Sequence, residues 1–242
     1  MLGLAVGISG ALVYAGYHTM APRSQLYGKT FLGHRDGRRE IALTYDDGPN
    51  DPHTFHLMEV LAKHDVRATF FLVGKYVDHR PDIVRELVKA GHVVGNHTYT
   101  HPNLIFRSQS QVREELLRCE RALDNAVGNQ HAKLFRPPFG GRTPFVLRTV
   151  RSEGFTPVMW NVTGFDWKLT SAEAIVNRVT PQVRGGDVIL LHDGGHLAFG
   201  TNRSHTVRAT EKLLEKFRSE GYVFKTIPEM MAPASRPQTA AV

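Results

Sequence analysis

Cysteine is nearly absent from this 242-residue chain, in which Cys119 is the single example. One thiol excludes an internal disulfide framework and any zinc site built from cysteines. The chain also lacks an arginine-rich run and the aromatic signature of RNA-binding domains. Its net charge of +7 therefore indicates a solvated basic surface and no nucleic-acid partner. A metal bound by this chain must be held by histidines and carboxylates.

Histidine, in contrast, is abundant, with 13 copies in the chain. It is the commonest metal ligand and the usual proton carrier near neutral pH. The remaining composition, with 41% hydrophobic and 22% charged residues, is that of an ordinary globular protein of one domain. The histidines are therefore the first indication of metal or acid–base chemistry.

Charged side chains are missing from residues 1–22, a length that can span a bilayer or serve as a secretory signal. Four glycines dilute the hydrophobicity of this stretch, and the cations between Arg23 and Arg39 favour a cytoplasmic flank. Weighing length above flank charge, we expect a membrane anchor or export signal at residues 1–22, with a packed segment as the alternative. One folded domain is expected over residues 23–231 and a disordered tail over residues 232–242.

Short apolar, β-branched or aromatic runs alternate with longer amphipathic stretches along the chain. The runs predict strands at residues 41–45, 69–73, 92–95, 133–135, 157–160, 188–191 and 223–226. Helical patterns between them include residues 172–183 and 206–220. Strands that alternate with helices predict parallel β/α units, in a barrel or a doubly wound sheet. Reactive side chains are then expected at the C-terminal ends of the strands.

Two adjacent carboxylates, Asp46 and Asp47, end the first predicted strand and precede Gly48-Pro49. Because neighbouring side chains at a strand end diverge, one carboxylate can bind a cation while the other remains free as a base. An aspartate-rich turn without function is an equal alternative for this motif alone, since Asp and Gly-Pro are common turn formers.

His97 and His101 follow the third predicted strand, four residues apart. Two imidazoles at this spacing can reach one metal if the segment coils by a turn, although Thr98 stands where a zincin motif requires Glu. One Asp and two His make a three-ligand set with open positions for water, as in catalytic metal sites. A chance histidine pair is the alternative.

Three further polar motifs follow later strands. Arg136, locked by two prolines, is a rigid cation that can hold a carboxylate in place. Asp166 lies beside Trp167 in a loop, and a buried apolar strand delivers His192 into a glycine-rich loop that also holds His196, a candidate substrate contact. Each motif alone has a structural alternative. Their order at the ends of successive or near-successive strands favours one site.

The motifs TYDDGP, HTYTH, RPPFG, FDW and VILLH occur in this order between residues 41 and 229. In these motifs the sequence resembles the polysaccharide deacetylase family, the NodB-homology domain of carbohydrate esterase family 4. The resemblance implies an α/β fold, a distorted (β/α) barrel with about seven strands. It also implies that residues 23–231 form a catalytic domain that removes N-acetyl groups from glycans with one divalent metal ion. Zinc is expected, and cobalt, nickel or manganese would suit the same ligands.

The resemblance also implies roles for individual residues. Asp47, His97 and His101 would bind the metal, Asp46 would be the general base, and His192 would be the general acid. The substrate would be a polymer of N-acetylglucosamine, with peptidoglycan favoured over chitin oligomers. We expect a monomer in the bacterial cell envelope, outside the cytoplasm and either anchored to the membrane or secreted.

Five more residues receive supporting roles from the resemblance. Arg136 would position Asp46, and Asp166 would orient or charge-stabilise the general acid. Trp167 and Leu190 would shape the pocket around the acetyl methyl group. The backbone N–H of Phe139 would help to hold the oxyanion.

Two positions depart from the family pattern. Thr163 stands where a further acid often occurs, so the contacts around Arg136 are expected to differ. Phe139 stands where tyrosine is common, which removes a hydroxyl and leaves the backbone role.

Two other functions remain open at this stage. A cytoplasmic hydrolase of small cyclic amides would need no N-terminal anchor. A non-catalytic glycan-binding module is the second alternative, against which the intact Asp46, His101 and His192 argue.

Overall fold

The computed structural model describes residues 13–168 and 171–233. Within these ranges, eight parallel strands form one curled sheet. The strands are β1 (Glu40–Asp46), β2 (Thr69–Leu72), β3 (Val93–Asn96), β4 (Leu134–Phe135), β5 (Thr156–Pro157), β6 (Val162–Thr163), β7 (Asp187–His192) and β8 (Val223–Phe224). Seven lie in the order β5-β4-β3-β2-β1-β7-β6, and β8 pairs with the start of β1. The expected distorted (β/α) barrel is confirmed.

Helices cover the outside of the curled sheet. Those of the described residues are α1 (residues 13–20), α2 (His53–Lys63), α3 (Gly74–His79), α4 (Pro81–Lys89), α5 (Gln109–Val127), α6 (Pro144–Ser152), α7 (Ala172–Val179), α8 (Ser204–Ser219) and α9 (Ile227–Met231). A capping box between Ser108 and Gln111 starts α5, because each side chain accepts a hydrogen bond from the other residue's backbone. The predicted helix over residues 172–183 is α7 followed by a 3-10 turn that contains Pro181.

Alternation along β1 separates a helix-facing layer from the barrel interior. Ile41, Leu43 and Tyr45 pack in the large cluster with the helices, whereas Ala42 packs with the interior side chains of β7. Successive side chains of a strand point to opposite faces, so Asp46 faces the interior as Ala42 does. The strand is buried from Ile41 onward because β2, β7 and β8 all pair with it.

The open edge of the barrel is bridged by the segment that precedes β1. Phe31 forms a parallel bridge to Val158, which follows β5, and Gly33 forms an antiparallel bridge to Asp187 at the start of β7. The non-helical residues 31–33 thus connect the β5 side of the sheet with the β7 side.

Arg142 attaches the residues after α1 to the barrel. Its buried guanidinium donates hydrogen bonds to the carbonyl oxygens of Ala21, Pro22 and Ser24, and its backbone N–H donates to Thr19 at 3.1 Å. No helix in the described part of the chain has the length and apolarity that a membrane span requires. Residues 1–12 of the predicted anchor and residues 234–242 of the predicted tail lie outside the described residues.

We expect Arg142→Ala to lower the free energy of unfolding by about 3 kcal/mol, because the carbonyl oxygens of Ala21, Pro22, Ser24 and Gly140 lose their donor. In a protein of this size the melting temperature then falls by about 6–12 °C. Arg148→Ala removes an exposed arginine from α6 and is the matched control, with a change within about 2 °C. Equal melting temperatures of the two variants would contradict the anchoring role of Arg142.

Candidate active site

Asp47, His97 and His101 converge at the C-terminal ends of β1 and β3. The Oδ1 atom of Asp47 lies 3.1 Å from Nε2 of His101 and 3.5 Å from Nε2 of His97. All three side chains are buried, and this Oδ1 atom has no hydrogen-bond partner. A buried carboxylate oxygen that faces two imidazole nitrogens in this way fits a divalent metal ion, for which these three residues supply one ligand atom each.

Protonation states in this group favour ligation. The ring Nδ1 of His97 lies 2.7 Å from the carbonyl oxygen of Arg136, which makes Nδ1 the donor and leaves the Nε2 lone pair facing Asp47. Burial lowers the pKa of His101, which favours its neutral form.

Backbone strain is concentrated in the segments that carry these ligands. Asp47, Thr98 and His101 have φ values of 73°, 67° and 60°, which non-glycine residues adopt at a cost of about 1 kcal/mol or more each. The side chains of Asn96 and Thr98 accept hydrogen bonds from the backbone N–H groups of Thr98 and His101. The predicted coil between the two histidines is therefore a side-chain-braced turn.

Arg136 pairs with Asp46 inside the barrel. Its Nη1 donates to Oδ1 of Asp46 at 2.7 Å and to Oγ1 of Thr44 at 2.8 Å. The fully buried guanidinium also lies over the ring of Phe71, 4.2 Å from its centroid. Burial lowers the pKa of Arg136, and the Asp46 carboxylate opposes this shift. Thr163 forms no hydrogen bond with Arg136 or Asp46. Its hydroxyl oxygen instead accepts a hydrogen bond from the backbone N–H of Phe165.

His192 and Asp166 form the second charged pair. Nδ1 of His192 lies 2.9 Å from Oδ1 of Asp166, whose Oδ2 accepts from the His192 backbone N–H and the Thr206 hydroxyl. Burial alone would lower the pKa of His192, but Asp166 raises it to about 9. The strands β1 and β7 place Asp46 directly beside His192 in register.

A cavity of about 470 Å³ opens above these groups. Eight of the ten residues predicted for the site line it, and Arg136 and Asp166 lie behind them. The eight are Asp46, Asp47, His97, His101, Phe139, Trp167, Leu190 and His192. Phe139 is 46% and Trp167 41% exposed, so two aromatic rings stand at the rim.

The structure adds residues that sequence reasoning missed. Asn50 joins two loops, because its Nδ2 donates to the carbonyl oxygens of Asp193 and Thr201 at 2.8 Å each. Thr54 donates to the buried Asp193 carboxylate at 2.6 Å, and burial raises the pKa of Asp193 to about 7. Asn50 stands directly after the turn Gly48-Pro49, which is the one sequence signal for its role.

His196 lies beside the predicted metal ligands. Its ring stacks on that of His101 with centroids 4.8 Å apart, and its Nδ1 lies 3.9 Å from Oδ2 of Asp47. The same ring meets Phe139 edge-on at 5.2 Å. His196 lies in the glycine-rich loop after β7, and this place in the sequence makes it a candidate substrate contact.

The curled parallel sheet makes this a (β/α)-barrel protein. Its carboxylates and imidazoles meet at the C-terminal ends of the strands, where the active sites of such barrels lie. Comparison with known proteins identifies the family. The model of a family described as polysaccharide deacetylase matches residues 33–158. The chain belongs to the polysaccharide deacetylase family, as the motifs predicted.

Individual relatives agree with this assignment. A peptidoglycan-N-acetylglucosamine deacetylase of Bacillus cereus is 37% identical over 80% of this chain and 68% of its own length. A chitooligosaccharide deacetylase of a Bradyrhizobium species is 36% identical over 82% of this chain and 93% of its own. The crystal structure of the Bc1960 peptidoglycan N-acetylglucosamine deacetylase has a TM-score of 0.76 and 36% identity, with 83% of this chain and 91% of that chain covered.

The charge on Asp166 sets the protonation of His192. We expect Asp166→Asn to lower the pKa of His192 from about 9 by about 1–3 units, because burial then opposes the imidazolium without compensation. NMR titration of the imidazole ring measures this shift. Thr206→Val, which removes one hydrogen bond to Asp166 and keeps its charge, is the control and leaves the pKa near 9.

The same shift has a consequence for stability. A pKa raised in the folded state stabilises the fold fully below the unfolded value of about 6.5, and this contribution is lost as the pH rises through about 9. Between these pH values, wild-type stability should therefore decline more steeply than that of Asp166→Asn. Parallel urea titrations across this range check the sign, and identical pH profiles would refute it.

Proposed function

We propose that this protein hydrolyses the N-acetyl groups of glycans that contain N-acetylglucosamine, releasing acetate. The observation that carries the proposal is one cavity with three convergent ligand side chains, an arginine-paired aspartate and an aspartate-paired histidine. The similarity to deacetylases of peptidoglycan and of chitooligosaccharides supports this substrate class. Peptidoglycan is favoured over chitin oligomers.

In the proposed mechanism, Asp47, His97 and His101 would hold one divalent metal ion, with zinc favoured for this ligand set. The metal supplies two effects when bound: it polarises the amide carbonyl and lowers the pKa of a bound water toward neutrality. The three protein ligands leave positions free for water and substrate, as a catalytic site requires.

Asp46 is the proposed general base. Its Oδ1 is held by Arg136, while its Oδ2 lies 3.8 Å from Nε2 of His97, on the side of the ligand group. The buried guanidinium holds this carboxylate in place, where it can accept a proton from the attacking water. Arg136 acts on the reaction through this positioning.

His192 is the proposed general acid. Asp166 keeps its imidazole protonated at neutral pH, and the other ring nitrogen, Nε2, can give its proton to the leaving amine. Loss of that proton completes the cleavage of the C–N bond and yields acetate and a free amino sugar. The proposed base and the proposed acid thus lie side by side, each with a partner of opposite charge.

Apolar side chains in the wall of the cavity are suited to contact the acetyl group of the substrate. Leu190 and Trp167 both line it, with the Trp167 ring 5.1 Å from that of His192. We assign these two apolar side chains to the acetyl methyl group and the backbone N–H of Phe139 to the oxyanion. A backbone donor of this kind typically contributes about 3 kcal/mol to transition-state stabilisation.

The proposed organisation is a catalytic domain at residues 23–231 preceded by an anchor or export signal at residues 1–22. Peptidoglycan as the substrate would require action outside the cytoplasm, which is the proposed location of a monomeric enzyme. The hydrogen bonds of Arg142 to Thr19, Ala21 and Pro22 show that the end of this segment packs on the domain, so contacts with the barrel reach back at least to residue 19.

Acetate release tests the function and its metal requirement. We expect release from peptidoglycan and from N-acetylglucosamine oligomers, its loss after dialysis against a chelator, and its return with zinc. Metal content is measured in parallel, because the three ligands are expected to hold about one ion per chain. A metal-loaded, folded protein that releases acetate from neither substrate would falsify the proposed function.

The base assignment has its own test. We expect Asp46→Asn to reduce kcat by about 100- to 10,000-fold while metal content stays unchanged, because the base is lost and the ligands remain. Asp65→Asn makes the same chemical change at an exposed position with a φ of 46°, which asparagine tolerates, and should retain wild-type activity. Survival of activity in Asp46→Asn would show that another group is the base.

A further inference from the structure

A second cavity of about 220 Å³ adjoins the active-site cavity, and the side chain of Trp160 lines both. We call this second cavity the N-terminal cleft. Its other walls come from α1, from the segment after it and from the chain around β6: Tyr17, Ala21, Pro22, Arg23, Asn161 and Thr163. Thr163 pairs in register with Leu190, which lines the active-site cavity, so the two cavities lie on neighbouring strands.

A buried amide without a partner lies in the wall of the cleft. Asn161 is 4% exposed, and its Oδ1 accepts a hydrogen bond from the backbone N–H of Val188 at 3.0 Å. That bond fixes which end of the amide is the oxygen. The remaining Nδ2 group is buried and has no hydrogen-bond partner. Burying such a donor unpaired costs about 1–3 kcal/mol, which a rotation of the amide toward an acceptor in the cleft would recover.

An arginine with spare donors lies beside this amide. Nη2 of Arg23 donates to the carbonyl oxygen of Asn161 at 2.6 Å, which holds the exposed guanidinium at the cleft. No carboxylate of the described residues forms a salt bridge with Arg23. Residues 1–12, 169–170 and 234–242 contain no Asp or Glu side chain. Arg23 therefore keeps its charge available to an anion.

We infer that the N-terminal cleft binds a carboxylate on the sugar next to the one being deacetylated. This inference rests on the proposed function. Arg23 pairs with the carboxylate, and the Nδ2 group of Asn161, in the same wall, is the second donor.

The charge distinguishes the two substrates of the proposed function. Chitin oligomers are uncharged along the chain, whereas every second sugar of peptidoglycan carries a lactyl group that ends in a carboxylate or in an attached peptide. The cleft thus selects a glycan of alternating neutral and acidic sugars. Because the segment before residue 33 supplies Tyr17 and Arg23, this selection depends on residues outside the region that the family model matches.

The test compares kcat/KM for acetate release on two substrates. One is a neutral N-acetylglucosamine pentamer, and the other is a peptide-free peptidoglycan strand with free lactyl carboxylates. We expect Arg23→Gln to reduce the strand-to-pentamer ratio about tenfold, the value of one charge-assisted hydrogen bond. Methyl esterification of the strand should reduce the wild-type ratio to the same extent. Arg148→Gln removes the same charge from an exposed position of α6 and should keep the wild-type ratio.

Binding provides a readout that does not need turnover. In the Asp46→Asn background, calorimetry with the same strand should give a Kd about tenfold weaker when Arg23→Gln is added. An unchanged ratio and an unchanged Kd would overturn the cleft while the deacetylase function stands. Absence of acetate release from both substrates would overturn the function, and the Kd comparison would still decide whether the cleft binds the carboxylate.

Discussion

The buried guanidinium of Arg136 is the constraint on which the interior of the barrel depends. A charge with no exposure is tolerated only when its donors are satisfied, and here they reach Asp46, Thr44 and the carbonyl oxygens of Val158 and Met159. These partners belong to β1 and to the chain that follows β5. A shift of either would leave a buried charge uncompensated, at a cost of about 3–5 kcal/mol. The pair that holds the Asp46 carboxylate in place therefore also fixes the spacing of the strand ends.

Two ion pairs of opposite orientation stand side by side at this edge of the sheet. In one, the cation lies behind a carboxylate that faces the cavity; in the other, Asp166 lies behind His192. The register of β1 and β7 sets Asp46 and His192 as direct neighbours, so the two countercharges are kept on the protein side of the reacting groups. Asp46 and His192 thus each have a partner of opposite charge within hydrogen-bond distance inside the low-dielectric cavity wall.

Local pattern was sufficient to predict the strands with clear apolar runs and the residues that end them. β1 was placed within one residue at each end, and eight of the ten predicted site residues line one cavity. The two-residue strand β6 was missed because so short a segment has no periodicity, and its pairing is imposed by β7. Thr44 reads as an ordinary strand residue, and Asn50 meets Asp193 across 143 positions, so only the tertiary fold shows their contacts.

The departure of Thr163 from the family pattern acquires a physical meaning in this fold. Each nitrogen of the Arg136 guanidinium has an acceptor without an acid at that position. Thr163 instead lines the same cleft as Arg23. An acid there would stand close to that guanidinium and compete with any external anion for it, whereas the neutral hydroxyl leaves the charge available. With threonine at this position, none of the described residues in the wall of the cleft has a carboxylate to pair with Arg23.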